Sequence, residues 1–205
     1  MPSPEEKIYL HQLGKALFEE AGYCHIGMDH FSLPADELAI AWRQGRLHRN
    51  FMGYTTQSGG ILLGLGVSAI SDLETAYTQN DKTLANYYRG VFKGLLPITR
   101  GCLLTPEDQS FRRNILDIAC TGATTFDARW PAQYALWTMP RLRELAKDGL
   151  VRLDSRGVEL TEAGRPFLRH VCKAFDLQLL RDEQVRANLA IYGKQPVAPG
   201  FSNAI

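Results

Sequence analysis

No apolar stretch of this chain reaches the ~18–20 residues needed to cross a bilayer. The opening residues Met1-Pro2-Ser3-Pro4-Glu5-Glu6 lack the basic start and apolar core of a secretory signal. Cysteine is scarce and dispersed. Cys24, Cys102, Cys120 and Cys172 all stand more than ten residues apart, which excludes a local thiolate motif for zinc or an iron–sulfur cluster. Isolated cysteines of this kind are expected as reduced, buried thiols in a cytoplasmic protein. Neither charge sign dominates: the formal net charge is +1, so nothing pulls the whole chain toward nucleic acid or anionic lipid. Residues 1–96 hold 8 Lys/Arg against 10 Asp/Glu, and residues 97–205 hold 15 against 12. That asymmetry is too small to demand a polyanionic partner. Internal repeats and low-complexity segments are also missing.

What is present is an ordinary globular composition. The chain has 205 residues, 45% hydrophobic and 22% charged, enough for one or two domains with real cores. Ser3, Pro4 and Glu6 form a capping-box start, and Leu10, Leu13, Leu17 and Ala21 recur on one helical face that Gly22 ends. A strand follows over Tyr23–Met28. A second helix opens at Pro34-Ala35-Asp36-Glu37, runs through Trp42 and stops at Gly45. Helix, glycine, then strand is half of an α/β repeat.

Residues 50–71 are the most informative. Asn50–Gln57 alternates around Phe51 as a strand does and leads into the turn Ser58-Gly59-Gly60. Leu62-Leu63-Gly64-Leu65-Gly66-Val67-Ser68-Ala69-Ile70-Ser71 reads as a strand buried on both faces. Gly64 and Gly66 are costly there unless something approaches the backbone closely. Ser71 with Glu74 reads as a capping box that starts a helix. A strand feeding a helix N-terminus is where α/β folds hold ligands.

A helix is expected from Asn80 or Asp81, with Leu84, Tyr87, Tyr88 and Val91 on one face. The segment Gly94–Gly101 then reads as a linker, placing domain boundaries at 1–96 and 97–205. Beyond it, a helix from Thr105-Pro106-Glu107-Asp108 to Gly122 precedes helices over Pro131–Trp137 and Thr138–Asp148. A hairpin turns at Asp154-Ser155-Arg156-Gly157, and Thr161 caps a last helix bearing Phe167, Val171, Phe175 and Leu179. Helix, helix, hairpin, helix is a winged-helix pattern. The tail Gly193–Gly200 reads as an extended surface segment.

Four blocks in this order and spacing closely resemble the oxygen-independent coproporphyrinogen III oxidase family of radical S-adenosylmethionine enzymes. They are Gly27-Met28-Asp29-His30-Phe31, Leu47-His48-Arg49-Asn50-Phe51, Gly53-Tyr54-Thr55-Thr56-Gln57 and Leu62–Ser71. The ending Phe201–Ile205 resembles the family's C-terminus, while the family's Cys-x-x-x-Cys-x-x-Cys motif does not occur. The resemblance implies the C-terminal segment of an incomplete, TIM-like α/β barrel followed by a helical, winged-helix-like domain. It implies an oxidoreductase of haem biosynthesis that decarboxylates two propionates of coproporphyrinogen III, giving protoporphyrinogen IX. Its cofactors are S-adenosylmethionine and a four-iron four-sulfur cluster held by the absent half. No cofactor is expected on this chain alone, which is then inactive by itself.

By the same resemblance Ile70 falls on an S-adenosylmethionine-contacting position, with Phe51 on the same rim. Met52 stands where the family is associated with glutamine, which removes an amide donor and acceptor. His30, His48 and Arg49 suit propionate carboxylates, arginine best because it binds them bidentately; Asp29 precedes His30 at the strand end.

Two other readings compete. One is a winged-helix DNA-binding regulator. Its recognition helix would present Arg141, Glu144, Lys147 and Asp148, and Asp154 lies between Arg152 and Arg156 in the hairpin. Acid offsets base throughout, whereas major-groove readers present a basic or amide face. The other is a radical S-adenosylmethionine haem chaperone, whose relatives carry His-Asn-x-x-Tyr-Trp; no tryptophan follows Tyr54. No nucleic-acid or membrane partner is therefore expected. An exposed barrel edge at Tyr23–Met28, with Ile26, Met28, Leu63, Leu65 and Val67 uncovered, predicts a homodimer through residues 20–70 while 97–205 folds independently.

Overall fold

Every strand pairing among the described residues is antiparallel. The computed structural model describes residues 2–192, with Pro4 and residues 186–192 described by backbone alone. The tail read at 193–205 lies outside them. The chain packs as two compact units, Met1–Ser58 with Asn114–Phe175 and Gly59–Arg113 with Asp176–Ile205. The boundary read at 96/97 falls inside the second unit, where Ile98–Leu103 is a strand rather than a linker.

In the first unit, α1 (Pro4–Glu20) starts as its sequence requires. Glu6 N–H donates to Ser3 Oγ at 3.2 Å and Ser3 N–H to Glu6 Oε2 at 2.7 Å, closing the capping box. The expected apolar face is not packed, since Leu10, Leu13 and Leu17 are all exposed, and it is Phe18 that stacks on Phe31, with ring centroids 4.5 Å apart. Strands β1 (Cys24–Gly27) and β2 (His30–Ser32) form a hairpin. Asp36 caps α2 (Glu37–Arg43), its carboxylate accepting from Leu38 N–H at 2.8 Å. A second hairpin joins β3 (His48–Asn50) to β4 (Gly53–Thr55), so the strand read over 50–57 breaks at Phe51-Met52. Two-residue connections of this kind permit only antiparallel pairing, since a parallel pair needs a crossover of a dozen residues or more. Ile26, Ala39, Ala41, Leu47, Tyr54 and Cys120 make a shared core, so Ile26 is buried rather than an uncovered edge.

The second unit corrects the reading of 62–71. Only Ile70–Asp72 is a strand, β5, and it pairs with β6 (Ala76–Asn80), which pairs with β7 (Ile98–Leu103). Ser71 starts no helix. Its Oγ accepts from Gly64 N–H at 3.0 Å. The glycine-rich run is a loop in which Gly64 and Gly66 bond to side chains, while Leu62 and Ser68 bond to the backbone of Asp72 and Asp81. Asn80 Nδ2 donates to the carbonyls of Gly64 and Gly66 at 3.0 and 2.9 Å, and Tyr87 Oη accepts from Gly66 N–H at 3.0 Å. Gly64 does need its hydrogen, because a Cβ there would stand 2.5 Å from the Ile70 carbonyl oxygen. Leu63 and Leu65 point to solvent, 67% and 89% exposed. Next in sequence, α3 spans Leu84–Phe92.

Helix α4 (Pro106–Thr121) carries residues of both units. The remainder of the first unit follows the expected order, with one strand added. β8 (Ala123–Thr125) precedes α5 (Pro131–Gln133), a π-helical turn (Tyr134–Thr138) and α6 (Met139–Lys147). The two helices read there are one continuous run. Its wider turn precedes Pro140, which has no N–H to continue the α ladder. Strands β9 (Val151–Leu153) and β10 (Gly157–Leu160) complete a sheet in the order β8-β10-β9. The last helix is segmented: a 3₁₀ turn (Arg165–Phe167) and α7 (Leu168–Lys173) end the first unit, and α8 (Leu177–Tyr192) belongs to the second. Asp176 forces the restart, its Oδ1 accepting from Leu179 N–H at 3.0 Å as an N-cap does.

Candidate functional site

Two glycines let the hairpins of the first unit close on each other. A Cβ on Gly27 would stand 2.6 Å from Tyr54 Oη, and one on Gly53 would stand 2.5 Å from His30 Nε2. Each hairpin thus receives a ring from the other where only hydrogen leaves room. Gly53 also has φ of +130°, which a side chain rarely adopts. The Tyr54 hydroxyl continues inward and donates to the Ala119 carbonyl at 2.9 Å. That carbonyl lies in the last turn of α4, where helix carbonyls run out of intrahelical donors.

Two of the expected site residues meet on the Tyr54 ring. His30 approaches it edge-on with 5.1 Å between ring centroids, and Arg49 Cζ lies 4.8 Å from the ring centroid. His30 Nδ1 is 3.0 Å from Asp29 Oδ1. Burial works to raise the Asp29 pKa, but a backbone hydrogen bond, His30 and Arg169 outweigh it and hold the carboxyl below its usual value. An ionised carboxylate only accepts, so His30 Nδ1 carries the proton that binds it.

Arg49 is the unusual member. Its Nη1 is buried with no hydrogen-bond partner. Three groups on which Arg49 acts are neutral, while the carboxylates of Asp29 and Asp117 act on Tyr54 and Cys120 as well. Burial pushes the Cys120 thiol up to about 11 and the Cys172 thiol up to about 12, although Arg49 pulls both down. Burial likewise pushes the Tyr54 hydroxyl up to about 12 against the same pull. Among the described residues no carboxylate pairs with Arg49. A guanidinium nitrogen sealed from water without an acceptor is costly, and an incoming carboxylate is the ligand that would satisfy it.

The other expected residues lie elsewhere. His48 immediately precedes Arg49 on β3, and successive strand residues face opposite sides. Phe51 and Met52 form the hairpin turn, 41% and 87% exposed, with Met52 N–H donating to Asn50 Oδ1 at 2.8 Å. Ile70 is half-buried in β5 of the second unit, opposite Gln79. Sequence reasoning missed Tyr54, Gly27 and Gly53 as the parts that bring His30 and Arg49 together. The available signal was a glycine at the turn of each hairpin, beside an aromatic residue in one of them.

No family profile matches the chain. Among solved structures it is similar to the coproporphyrinogen III oxidase of Escherichia coli, described as a radical SAM enzyme. The TM-score is 0.79 at 42% identity, over 87% of this chain and 42% of that one. The chain therefore shares the fold of part of a radical SAM enzyme. Its curated relatives narrow this further. It is 42% identical over 185 residues to the oxygen-independent coproporphyrinogen III oxidase of Escherichia coli K12, and 40% identical over 187 residues to that of Pseudomonas aeruginosa. The Synechocystis enzyme is 39% identical over 189 residues. Each match covers 87% of this chain, which spans about 40% of the length of these relatives. The chain is homologous to the C-terminal part of the oxygen-independent coproporphyrinogen III oxidases.

Proposed function

We propose that this chain serves as the C-terminal part of an oxygen-independent coproporphyrinogen III oxidase in the cytoplasm. The whole enzyme would convert two propionates of coproporphyrinogen III to vinyl groups, giving protoporphyrinogen IX. The observation that carries the reading is the 42% identity over 185 residues to the Escherichia coli enzyme. The hairpin site supports it chemically. Arg49 offers an unpaired guanidinium nitrogen, and His30 lies across the same tyrosine ring, an arrangement suited to anchoring a propionate carboxylate. His48, on the opposite face of β3, is proposed as a secondary contact at most.

The chain's own thiols do not fit an iron–sulfur cluster. Among the described residues no three His, Cys, Asp or Glu converge as metal ligands. Cys120 and Cys172 are held protonated by burial, whereas cluster ligands are thiolates. The cluster belongs in this reading to the region of the relatives that the chain does not match. Ile70 is proposed to contact S-adenosylmethionine through an apolar edge. Phe51 and Met52 are proposed to rim that contact, Met52 without the amide.

The order α4, β8, α5–α6, β9, β10 supports a winged-helix-like reading of the C-terminal region, whereas the small antiparallel sheets formed by residues 24–103 lack the parallel strands expected of an incomplete α/β barrel. DNA binding gains nothing from it. Arg152 faces Glu159 at 3.5 Å across the hairpin, and Asp154 accepts from the amides of Arg156 and Gly157. Self-association remains part of the proposal, now resting on exposed Leu63 and Leu65, and light scattering at tens of micromolar tests it.

The function is tested by a chimera in which this chain replaces the corresponding part of the Escherichia coli enzyme. Anaerobic assay with coproporphyrinogen III and S-adenosylmethionine should give protoporphyrinogen IX, and Arg49→Ala in the chimera should raise KM. A folded chimera with its cluster intact and no turnover would refute the reading.

A further inference from the structure

A charged cleft in the first unit is lined in part by Asp29, the partner of His30. A cleft of about 300 Å³ opens between α1, the turn joining β1 to β2 and the segment entering α7. That volume is at the lower end for small-molecule sites. Its polar lining is His11 and Lys15 from α1, His25 from β1, Asp29 from the turn, and Glu162, Arg165 and Arg169.

Both carboxylates already have partners. Asp29 binds His30 at 3.0 Å, and Glu162 binds Arg165 Nε at 2.8 Å. The cations are less well served. Lys15 has Glu19 at a loose 3.7 Å, outside the cleft lining. Arg169 makes no hydrogen bond or ion pair among the described residues and acts on Asp29 only at a distance. His11 with Lys15, and Arg165 with Arg169, are spaced four residues apart. Stacking basic groups on one face in this way is unfavourable without a counter-charge. The cleft mouth is also held rigidly. Met28 adopts φ of +50°, a costly conformation for a side chain, and His25 Nε2 donates to its carbonyl at 2.9 Å.

We propose that this cleft binds a small doubly charged oxyanion, a phosphoryl group or a paired carboxylate, through Lys15, Arg165 and Arg169. Arginine supplies the planar fork that such oxygens fit, and lysine supplies a point charge. The proposal does not rest on the oxidase reading, although Asp29 links the cleft to His30.

Amide chemical-shift titrations of the chain with inorganic phosphate and, separately, with succinate test this, at ionic strength fixed with sodium chloride. At least one anion should give saturable shifts confined to residues 11–15, 28–29 and 162–169. Phosphate alone would mean a phosphoryl ligand; succinate alone would mean a dicarboxylate. The variant Lys15→Gln/Arg169→Gln, altered at exposed or half-buried positions, should keep its dispersed spectrum and bind at least tenfold more weakly. Arg152→Gln/Arg156→Gln in the hairpin should bind as the parent does. Absence of saturable shifts with both anions overturns the proposal, as does equal affinity in the Lys15→Gln/Arg169→Gln variant.

Discussion

Replacing Tyr54 with phenylalanine isolates one bond that joins a hairpin to α4. The ring is retained, so the edge contact with His30 and the Arg49 stacking should persist. Only the hydroxyl goes, and with it the 2.9 Å bond to the Ala119 carbonyl. Tyr54 is 8% exposed, so water cannot readily replace the donor. Losing a hydrogen bond and leaving a buried carbonyl unsatisfied costs about 1–3 kcal/mol. A value near 2 kcal/mol corresponds to a Tm drop of about 4–8 °C for a chain of this length. Urea denaturation should show a lower midpoint at unchanged m. Tyr88→Phe, at a residue 47% exposed, should change stability by no more than about 0.5 kcal/mol.

The same substitution has a pH signature. Burial pushes the Tyr54 hydroxyl from 10.0 up to about 12. The unfolded chain therefore ionises first as pH rises, and the folded chain holds the extra proton between the two values. Stability from the neutral buried phenol is complete below pH 10 and is lost as pH climbs toward 12. The gap between the parent and Tyr54→Phe should be constant below that window and narrow within it. A loss under about 0.5 kcal/mol, or a gap independent of pH through the window, would refute the claim that this hydroxyl is sealed against α4.

Other outcomes follow from neighbouring features. Gly53→Ala, which forces a Cβ to 2.5 Å from His30 Nε2 at a φ of +130°, should destabilise by at least about 1–3 kcal/mol and shift the His30 ring resonances. Arg112→Ala removes the 2.5 Å ion pair to Asp72, the 3.1 Å bond to the Glu74 carbonyl and the stacking on Tyr77. It should cost about 3 kcal/mol in a denaturant titration, because the Asp72 carboxylate is left nearly buried and without its cation. Cys120 and Cys172, raised to about 11 and 12 by burial, should resist alkylation of the folded chain at pH 8 and react once urea is added. Anaerobic reconstitution of the chain with iron and sulfide should leave no stoichiometric cluster by iron analysis and absorbance.

Local signals predicted local structure well. The Ser3–Glu6 capping box, the helix opening within 34–37 and the turns at Gly22 and Gly45 appear where the residue types demand them. The hairpin at 154–157 forms as read, because Asp154 accepts from two amides of its own turn. Misreading came where backbone groups bond to distant side chains. Leu62–Ser71 has the composition of a buried strand, yet the backbone groups of Gly64 and Gly66 go to the side chains of Ser71, Asn80 and Tyr87. Periodicity cannot detect that substitution, because it counts apolar residues rather than hydrogen-bond partners. The exposed row on α1 fails for a related reason, since an amphipathic pattern shows a face suited to burial and not what covers it.

The site was legible as residue types but not as an arrangement. The resemblance and the chemistry of propionate binding together nominated His30, His48 and Arg49, and nothing in their spacing separates them. Strand alternation does, because the pairing of β3 with β4 fixes Arg49 opposite Tyr54 and sends His48 to the other face. What concentrates the cation is a set of neutral neighbours. Tyr54, Cys120 and Cys172 all hold their protons because they are buried, and none can neutralise Arg49 at ordinary pH. A carboxylate supplied from within the fold would have removed the reason for a ligand to bind. An enclosed guanidinium nitrogen with no carboxylate paired to it among the described residues is the feature on which the proposed recognition of a carboxylate by this pair of hairpins rests.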